Sequence, residues 1–355
     1  MMQQHFLSRV AVLALTATMT IGSAVMAQLP VGDLRVWLKA DDLVTAGLND
    51  GDPVDLWTDA SSFGTTFEPD LTIESAPKLE VANINGNIVP TVRFTASGPG
   101  SDPANTRLRQ TSNLDTVNPT NDPTNIADGS DMTLFAVFNP THTTTPLLNF
   151  QTLAGKRGAG GSPWTFGWQD GAGGANQGQF AYVTFAGGLP WRSGNFANPI
   201  PENKWHVSAM QITELGANDA ITFFDDPSED ANQGLVDLGA VDGNNPPFGN
   251  PVDPLTGANG PARNGPIPEG MLLGGHLQPG PGPGERFDGN LAELIIFANK
   301  LSPQDFTQVE SYLNQKYFAA IPEPTTSLLA LVAVAPLVFG GRRRRLLAAD
   351  ASNLG

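Results

Sequence analysis

The sequence predicts an all-β sandwich closed by one short C-terminal helix. Glycine and proline, at 39 and 30 of 355 residues, interrupt the chain too often for long helices. The apolar segments between them are short, and several alternate apolar and polar residues with the period of a strand. Only the stretch 301–317 combines a cap signal with helical spacing. A chain of this size is long enough for one large β domain.

The first strands follow from alternation and turn chemistry. Residues 33–40 alternate apolar with polar or aromatic side chains, which predicts a strand. Asn85-Gly86 is a strong tight-turn dipeptide, and it separates two further predicted strands at 77–79 and 91–94. We therefore expect a hairpin around this turn.

Two later segments are apolar nearly throughout, as expected for central strands that are covered on both faces. They are residues 132–138 and 291–297. Residues 204–212 alternate again, and 221–224 should pair with them as a hairpin. The stretches 97–130 and 225–284 are rich in Gly, Pro and Asn, which predicts mostly loop.

The predicted helix has clear start signals. Ser302 is expected to cap it, Pro303 occupies the first helical position, and Asp305 the third. Leu301 and Phe306 are spaced for a hydrophobic staple. One apolar stripe should pack the helix on the sandwich, and it consists of Phe306, Val309, Tyr312, Leu313 and Tyr317.

Charge and cysteine content exclude several function classes. The formal net charge of −16 disfavours binding to nucleic acid and to anionic lipid. The chain has no cysteine, so disulfides, a thiolate nucleophile and a Cys-ligated zinc are excluded. Beyond the N-terminal segment the histidines are His142, His206 and His276, and none has a ligand partner three or four residues away. A zinc site or a His-based catalytic dyad is therefore not expected.

Both ends of the chain are predicted to be processing segments. Residues 1–27 have a basic residue, an apolar stretch and small residues before Ala27, which is typical of a secretory signal peptide. The tail, residues 321–355, contains a Pro-Glu-Pro triplet, an apolar run at 328–339 and a run of arginines. As a helix, residues 327–341 would be about 22 Å long, short of the roughly 30 Å hydrocarbon core. The tail is therefore expected to contact the membrane only transiently, with its arginines on the cytoplasmic side.

These tail features resemble a PEP-CTERM sorting signal. The residues that carry the resemblance are Pro322, Glu323, Pro324, Arg342, Arg343, Arg344 and Arg345. The resemblance implies recognition by an exosortase, removal of the tail, and release or attachment at the cell surface. Ile321 stands where the family has Val, and ten residues follow the arginines. The alternative is an ordinary C-terminal membrane anchor.

Between the two ends, residues 28–320 resemble a laminin-G-like, concanavalin A-type jelly roll of bacterial exported proteins. The resemblance rests on short motifs at residues 34–41, 57–61, 204–207, 287–293 and 312–317. It implies two curved antiparallel sheets, with any binding on the concave face or the rim loops and often beside calcium.

Two groups of residues are candidates for binding. Trp164, Trp168 and Trp191 could stack on sugar rings if they lie on the rim, whereas Trp37, Trp57 and Trp205 read as core or half-buried strand residues. The densest acidic group could hold calcium, or it could be a solvated turn. It consists of Asp225, Asp226, Glu229 and Asp230.

No catalytic residue is predicted. Glycoside hydrolysis needs two carboxylates about 5–9 Å apart, and the Glu-x-Asp-x-x-Glu pattern of jelly-roll glucanases is absent. Glu293 lies alone on its strand, between Leu291 and Ile295, so we expect a buried carboxylate bonded to loop amides. The expected function is that of an exported, non-catalytic surface or matrix protein that contacts polysaccharide. The alternatives are a carbohydrate-active enzyme, a hydrolase or a lyase, and a purely structural matrix component.

Overall fold

The computed structural model describes residues 29–30, 32–69, 75–96, 105–113, 131–141, 151–158, 161–168, 180–182, 191–192, 203–213, 220–226, 236–242, 270–275 and 286–319. Within these ranges, only the backbone is described for 156–158, 161–165, 168, 180–182, 191–192, 220–221 and 236–242. The predicted signal peptide and sorting tail lie outside the described residues.

Within these described ranges, sixteen strands form two antiparallel sheets of eight strands each. The first sheet contains β1 (Leu34–Lys39), β4 (Lys78–Ile84), β5 (Asn87–Phe94), β7 (Met132–Pro140), β12 (His206–Thr213), β13 (Ala220–Asp225), β14 (Val236–Asp242) and β16 (Gly289–Phe297). The second contains β2 (Trp57–Thr58), β3 (Thr66–Glu68), β6 (Leu108–Gln110), β8 (Gln151–Gly158), β9 (Gly161–Trp168), β10 (Phe180–Tyr182), β11 (Trp191–Arg192) and β15 (Met271–Leu273). The predicted all-β sandwich is confirmed.

The first sheet has the order β14-β13-β12-β7-β16-β5-β4, and β1 also pairs with β16. The two segments predicted to be central, β7 and β16, are neighbours in its middle and are buried on both faces. The second sheet has the order β11-β10-β9-β8-β15-β6-β3-β2. The predicted pairing of β12 with β13 is also confirmed.

Two apolar cores hold the fold together. The inner core lies between the sheets and includes Trp57, Phe94 and Phe138. The outer core lies on the opposite face of the first sheet, where Phe135, Ile295 and neighbouring side chains pack against the C-terminal helix. Covering both faces explains why β7 and β16 read as continuous apolar runs.

The C-terminal helix α2 (Pro303–Leu313) begins as its sequence predicts and continues as a π-helical turn, Asn314–Phe318. The Ser302 hydroxyl accepts from the Asp305 backbone N–H at 3.2 Å and donates to the Asp305 carboxylate at 2.7 Å. The predicted stripe faces the sheet, because Val309, Tyr312, Leu313 and Tyr317 are buried and Phe306 is partly buried.

The β4–β5 hairpin also forms as predicted. Asn85 and Gly86 have φ angles of 49° and 88°, the left-handed pair that a two-residue type I′ turn requires. Asparagine tolerates this region better than other side chains, and glycine does so without strain.

Local irregularities account for the differences from the prediction. A register shift between Leu34 and Val36 turns Leu34 toward the outer core, while Val36 faces the inner core. A short helix, α1 (Ala40–Thr45), follows β1 and was not predicted. The stretches predicted as loop contain the short strands β6, β14 and β15. β6 and β15 pair with strands that are distant in sequence, and β14 pairs with the preceding strand β13.

Candidate functional site

The acidic group predicted to bind calcium is only partly described, and its first two members are buried rather than solvated. Asp225 ends β13 and points into the interior. One carboxylate oxygen accepts from the Ser208 hydroxyl at 2.5 Å, and the other lies 3.3 Å from the His206 Nδ1. Asp226 is also buried, and its backbone N–H donates to the Val207 carbonyl at 3.0 Å. The expectation of a solvated turn is therefore wrong for these two residues.

This geometry makes Asp225 an internal hydrogen-bond acceptor. The predicted partners Glu229 and Asp230 lie outside the described residues. In the part of the chain that is described, no group of three or more His, Asp or Glu side chains is placed to hold a metal ion. Calcium binding by the acidic group stays a prediction, and Asp225 is poorly placed to contribute to it.

The tryptophans predicted to stack on sugars all lie on the second sheet. Trp164 and Trp168 belong to β9, and Trp191 belongs to β11, where it pairs with Tyr182. Phe166 lies between Trp164 and Trp168 on β9. Phe166 is fully buried and stacks with Phe223 of the first sheet, with ring centroids 6.5 Å apart.

The backbone positions of these three tryptophans do not by themselves test the predicted sugar stacking. Their side chains lie outside the described atoms, and the sugar-binding role stays a prediction. By contrast, the prediction for the other three tryptophans is confirmed. Trp57 is fully buried, and Trp37 and Trp205 are half-buried against the outer core.

Glu293 is buried under α2, as expected for a non-catalytic carboxylate, but its partners are side chains rather than loop amides. One oxygen accepts from the Trp37 indole at 2.5 Å and from the Tyr312 hydroxyl at 3.0 Å. The other accepts from the Lys316 ammonium at 2.8 Å and from the Tyr317 hydroxyl at 2.7 Å. A register shift between Leu291 and Glu293 places Leu291 in the inner core, so the two do not share a face.

The surroundings of Lys316, Tyr312 and Tyr317 determine whether these three partners of Glu293 are protonated. Burial disfavours the charge on Lys316, but the carboxylates of Glu293 and Asp41 outweigh it and raise the pKa of Lys316. Burial, and then the negative charge of Glu293, raise the pKa values of Tyr312 and Tyr317. Both phenols therefore stay protonated and donate. An engaged carboxylate of this kind holds the helix to the sheet and has no free oxygen for proton transfer to a substrate.

Beyond α2, the outer face of the first sheet carries a polar row that the sequence analysis did not single out. Asn290 of β16 pairs with Asn139 of β7 on one side and with Arg93 of β5 on the other. Arg93 in turn pairs with Lys78 of β4. Trp205 directly precedes His206, whose partner is Phe138, so Trp205 lies beside Asn139. We call these five residues the outer-face row: Trp205, Asn139, Asn290, Arg93 and Lys78.

Among the described residues, two hydrogen-bonding groups of the row have no partner. The Asn139 side-chain oxygen and one terminal nitrogen of Arg93, Nη1, are buried and make no hydrogen bond. The other terminal nitrogen of Arg93 lies 2.6 Å from the Asp288 carboxylate. The Asn290 amide donates to Glu80 at 3.2 Å and to Thr91 at 3.0 Å. Buried polar groups without partners are rare in folded proteins, and they often mark places where a water or ligand binds.

The row could be recognised only after the strand register was known. Its members come from residues 78, 93, 139, 205 and 290, which no local motif connects. The only signal in the sequence was a polar residue at the end of an otherwise apolar strand, as at Asn139 after Phe138 and at Asn290 before Leu291.

Comparisons with known proteins give distant likenesses in fold only. No family model matches the chain, and no curated protein matches it. A Trypanosoma rangeli sialidase mutant displaying trans-sialidase activity aligns with a TM-score of 0.44 and 11% identity over 82% of this chain and 34% of its own. An arabinofuranosidase complexed with arabinofuranosyl-alpha-1,2-xylobiose has a TM-score of 0.46 and 12% identity, over 81% of this chain and 59% of its own.

The binding domain of botulinum neurotoxin serotype D aligns with a TM-score of 0.41 and 10% identity, over 80% of this chain and 52% of its own. This chain therefore spans less than two thirds of each of these three structures. Likeness at this distance gives no indication of what this chain binds or cleaves.

The sorting motif, from Pro322 to Arg345, lies outside the described residues. Within the described part of the chain, no helix is both long enough and apolar enough to cross a membrane.

Proposed function

We propose that this protein is exported, is delivered to the cell surface or extracellular matrix by its tail, and binds polysaccharide there without catalysing a reaction. The observation that carries the binding part is the outer-face row, with its unpartnered acceptor on Asn139 and unpartnered donor on Arg93. Asn139 and Arg93 flank Asn290 in the first sheet.

The chemistry of the row suits a polyhydroxylated ligand. Sugar hydroxyls both donate and accept hydrogen bonds, so different hydroxyls of one glycan can satisfy the amide oxygen and the guanidinium nitrogen. Trp205 at the end of the row offers an apolar ring for the face of a sugar. The Asn139 and Arg93 side chains are partly exposed, so a ligand on the outer face can contact them.

The non-catalytic part of the proposal is supported by the hydrogen bonds of two buried carboxylates, those of Glu293 and Asp225. Glu293 accepts from four side chains, and both oxygens of Asp225 face internal partners. A general acid or nucleophile needs an oxygen that can reach the substrate. These two carboxylates are therefore structural.

Binding by the row is tested with Asn139→Ala. The Asn139 oxygen has no partner in the part of the chain that the structure describes, so its removal should leave the fold intact and take away only a ligand contact. We expect affinity for the glycan that the wild type retains on an array to fall by about tenfold or more, corresponding to about 1.4 kcal/mol. Isothermal titration calorimetry with that glycan measures the change.

Asn314→Ala is the matched control, because Asn314 also has a buried unpartnered side-chain oxygen but lies in the π-helical turn. It should bind like the wild type. If Asn139→Ala also binds like the wild type and Trp164→Ala or Trp168→Ala does not, the site lies on the second sheet instead. An array without any retained glycan would favour the purely structural role.

Export is tested by following the chain ends in a host that contains a sorting system. We expect a surface or secreted product that begins at Gln28 and has lost the tail, as read by mass spectrometry of each cell fraction. Deletion of residues 321–355 should leave the protein in the periplasm, whereas Ile321→Val should be processed like the wild type. Recovery of the intact chain, with both ends, from the cytoplasm would contradict the proposal.

A further inference from the structure

The last described residues of the chain lie beside the β4–β5 turn. The Asn87 side-chain amide donates to the Tyr317 carbonyl at 2.9 Å and to the Ala319 carbonyl at 3.0 Å. Asn87 is the first residue of β5, directly after the tight turn at Asn85-Gly86. The last described residues before the tail are therefore fastened to this hairpin.

The surface of the hairpin is unusual for this chain. Residues 81–92 contain no charged side chain, although the protein has a formal net charge of −16. Ile88 is 67% exposed and Val81 is 49% exposed. Val81 pairs with Pro90, and Ile88 pairs with Asn83, so the two apolar side chains lie on one face of the hairpin. Edge strands usually carry charges that prevent unwanted contacts.

We propose that this uncharged hairpin tip, residues 81–90, lies against the lipid surface while the tail is engaged with the membrane. The inference rests on the proposed function of the tail. Eight residues, 320–327, separate Ala319 from the apolar run, and they can span at most about 28 Å. The short spacer holds the tip at a high effective concentration near the bilayer. The absence of charge at the tip removes the electrostatic penalty that the rest of the acidic surface would meet.

The absence of cysteine allows a direct test with a single label. Ile88→Cys in the full chain, carrying an environment-sensitive fluorophore such as NBD, is mixed with phosphatidylcholine vesicles. We expect a blue shift and about a twofold or greater rise in emission, as the fluorophore enters the apolar layer. Leu56→Cys is the matched control, because Leu56 is also apolar and is 49% exposed. It follows Pro53 by three residues, and Pro53 pairs with Lys78 at the end of β4 that is far from the tip. Its emission should not change.

The possible outcomes separate the two proposals. If the full chain does not float with vesicles, the proposed role of the tail is wrong, and the inference is overturned with it. If the full chain floats but the label at position 88 does not change, the role of the tail stands and the inference alone is overturned. A shift that appears without vesicles and grows with protein concentration would show a second copy at the tip, which also overturns it. Ile88→Asp, which places a charge at the tip, should float through its tail with at least a threefold weaker vesicle affinity.

Discussion

Replacing Glu293 by Ala is expected to lower the free energy of unfolding by about 3–5 kcal/mol, as for other buried ion pairs from which one partner is removed. The substitution leaves the Lys316 ammonium facing only Asp41, at 2.5 Å, and deprives the Trp37, Tyr312 and Tyr317 donors of their acceptor. Urea unfolding followed by tryptophan fluorescence measures the loss. The slope of the transition should stay unchanged if the native state remains compact.

The charge and the packing can be separated with two further variants. Tyr312→Phe removes one hydrogen bond from the cluster and keeps the ring, so it should cost only about 1 kcal/mol. Glu293→Leu combined with Lys316→Met removes both charges and should recover part of the stability lost in Glu293→Ala. If Glu293→Ala costs less than about 1 kcal/mol, the carboxylate does not hold α2 to the sheet.

Replacing Gly274 by Ala is expected to lower the free energy of unfolding by about 2–5 kcal/mol, through two effects that add. The residue has a φ angle of 76°, which side-chain-bearing residues rarely adopt. An added Cβ would also lie 2.1 Å from Phe94 Cδ1, and Phe94 is fully buried in the inner core, so its ring cannot move away freely.

Gly51→Ala separates the two effects. Gly51 has a φ angle of 88°, and nothing lies within 4 Å of an added Cβ. It should therefore report the backbone cost alone, about 1–2 kcal/mol. Equal losses at the two positions, measured by urea unfolding, would show that the inner core yields to the extra methyl group and that Phe94 is not tightly packed.

Much of the fold could be read from local sequence. Alternation predicted β1 and β12, continuous apolar runs predicted β7 and β16, and Asn85-Gly86 predicted the first hairpin. Ser302, Pro303 and Asp305 predicted the start of α2. Each signal lies within a few neighbouring residues, because backbone torsion, capping and side-chain period are properties of adjacent positions.

The candidate site was predicted less well. The alternative reading of a solvated turn expected Asp225 at the surface, whereas pairing of β12 with β13 brings it to Ser208 and His206 in the interior. The outer-face row was missed altogether, because its members are distributed over four strands and the residue before β12.

The sequence by itself determined that this protein is a β-rich chain with a capped C-terminal helix, an acidic surface and two ends with the pattern of processing segments. The tertiary structure alone decided which polar side chains meet. Trp37, Glu293 and Lys316 form one cluster although 256 residues separate the first two. Sequence periodicity reports which face of a strand a residue occupies, but strand order and register decide its neighbours, and these depend on contacts that form only when the whole chain has folded.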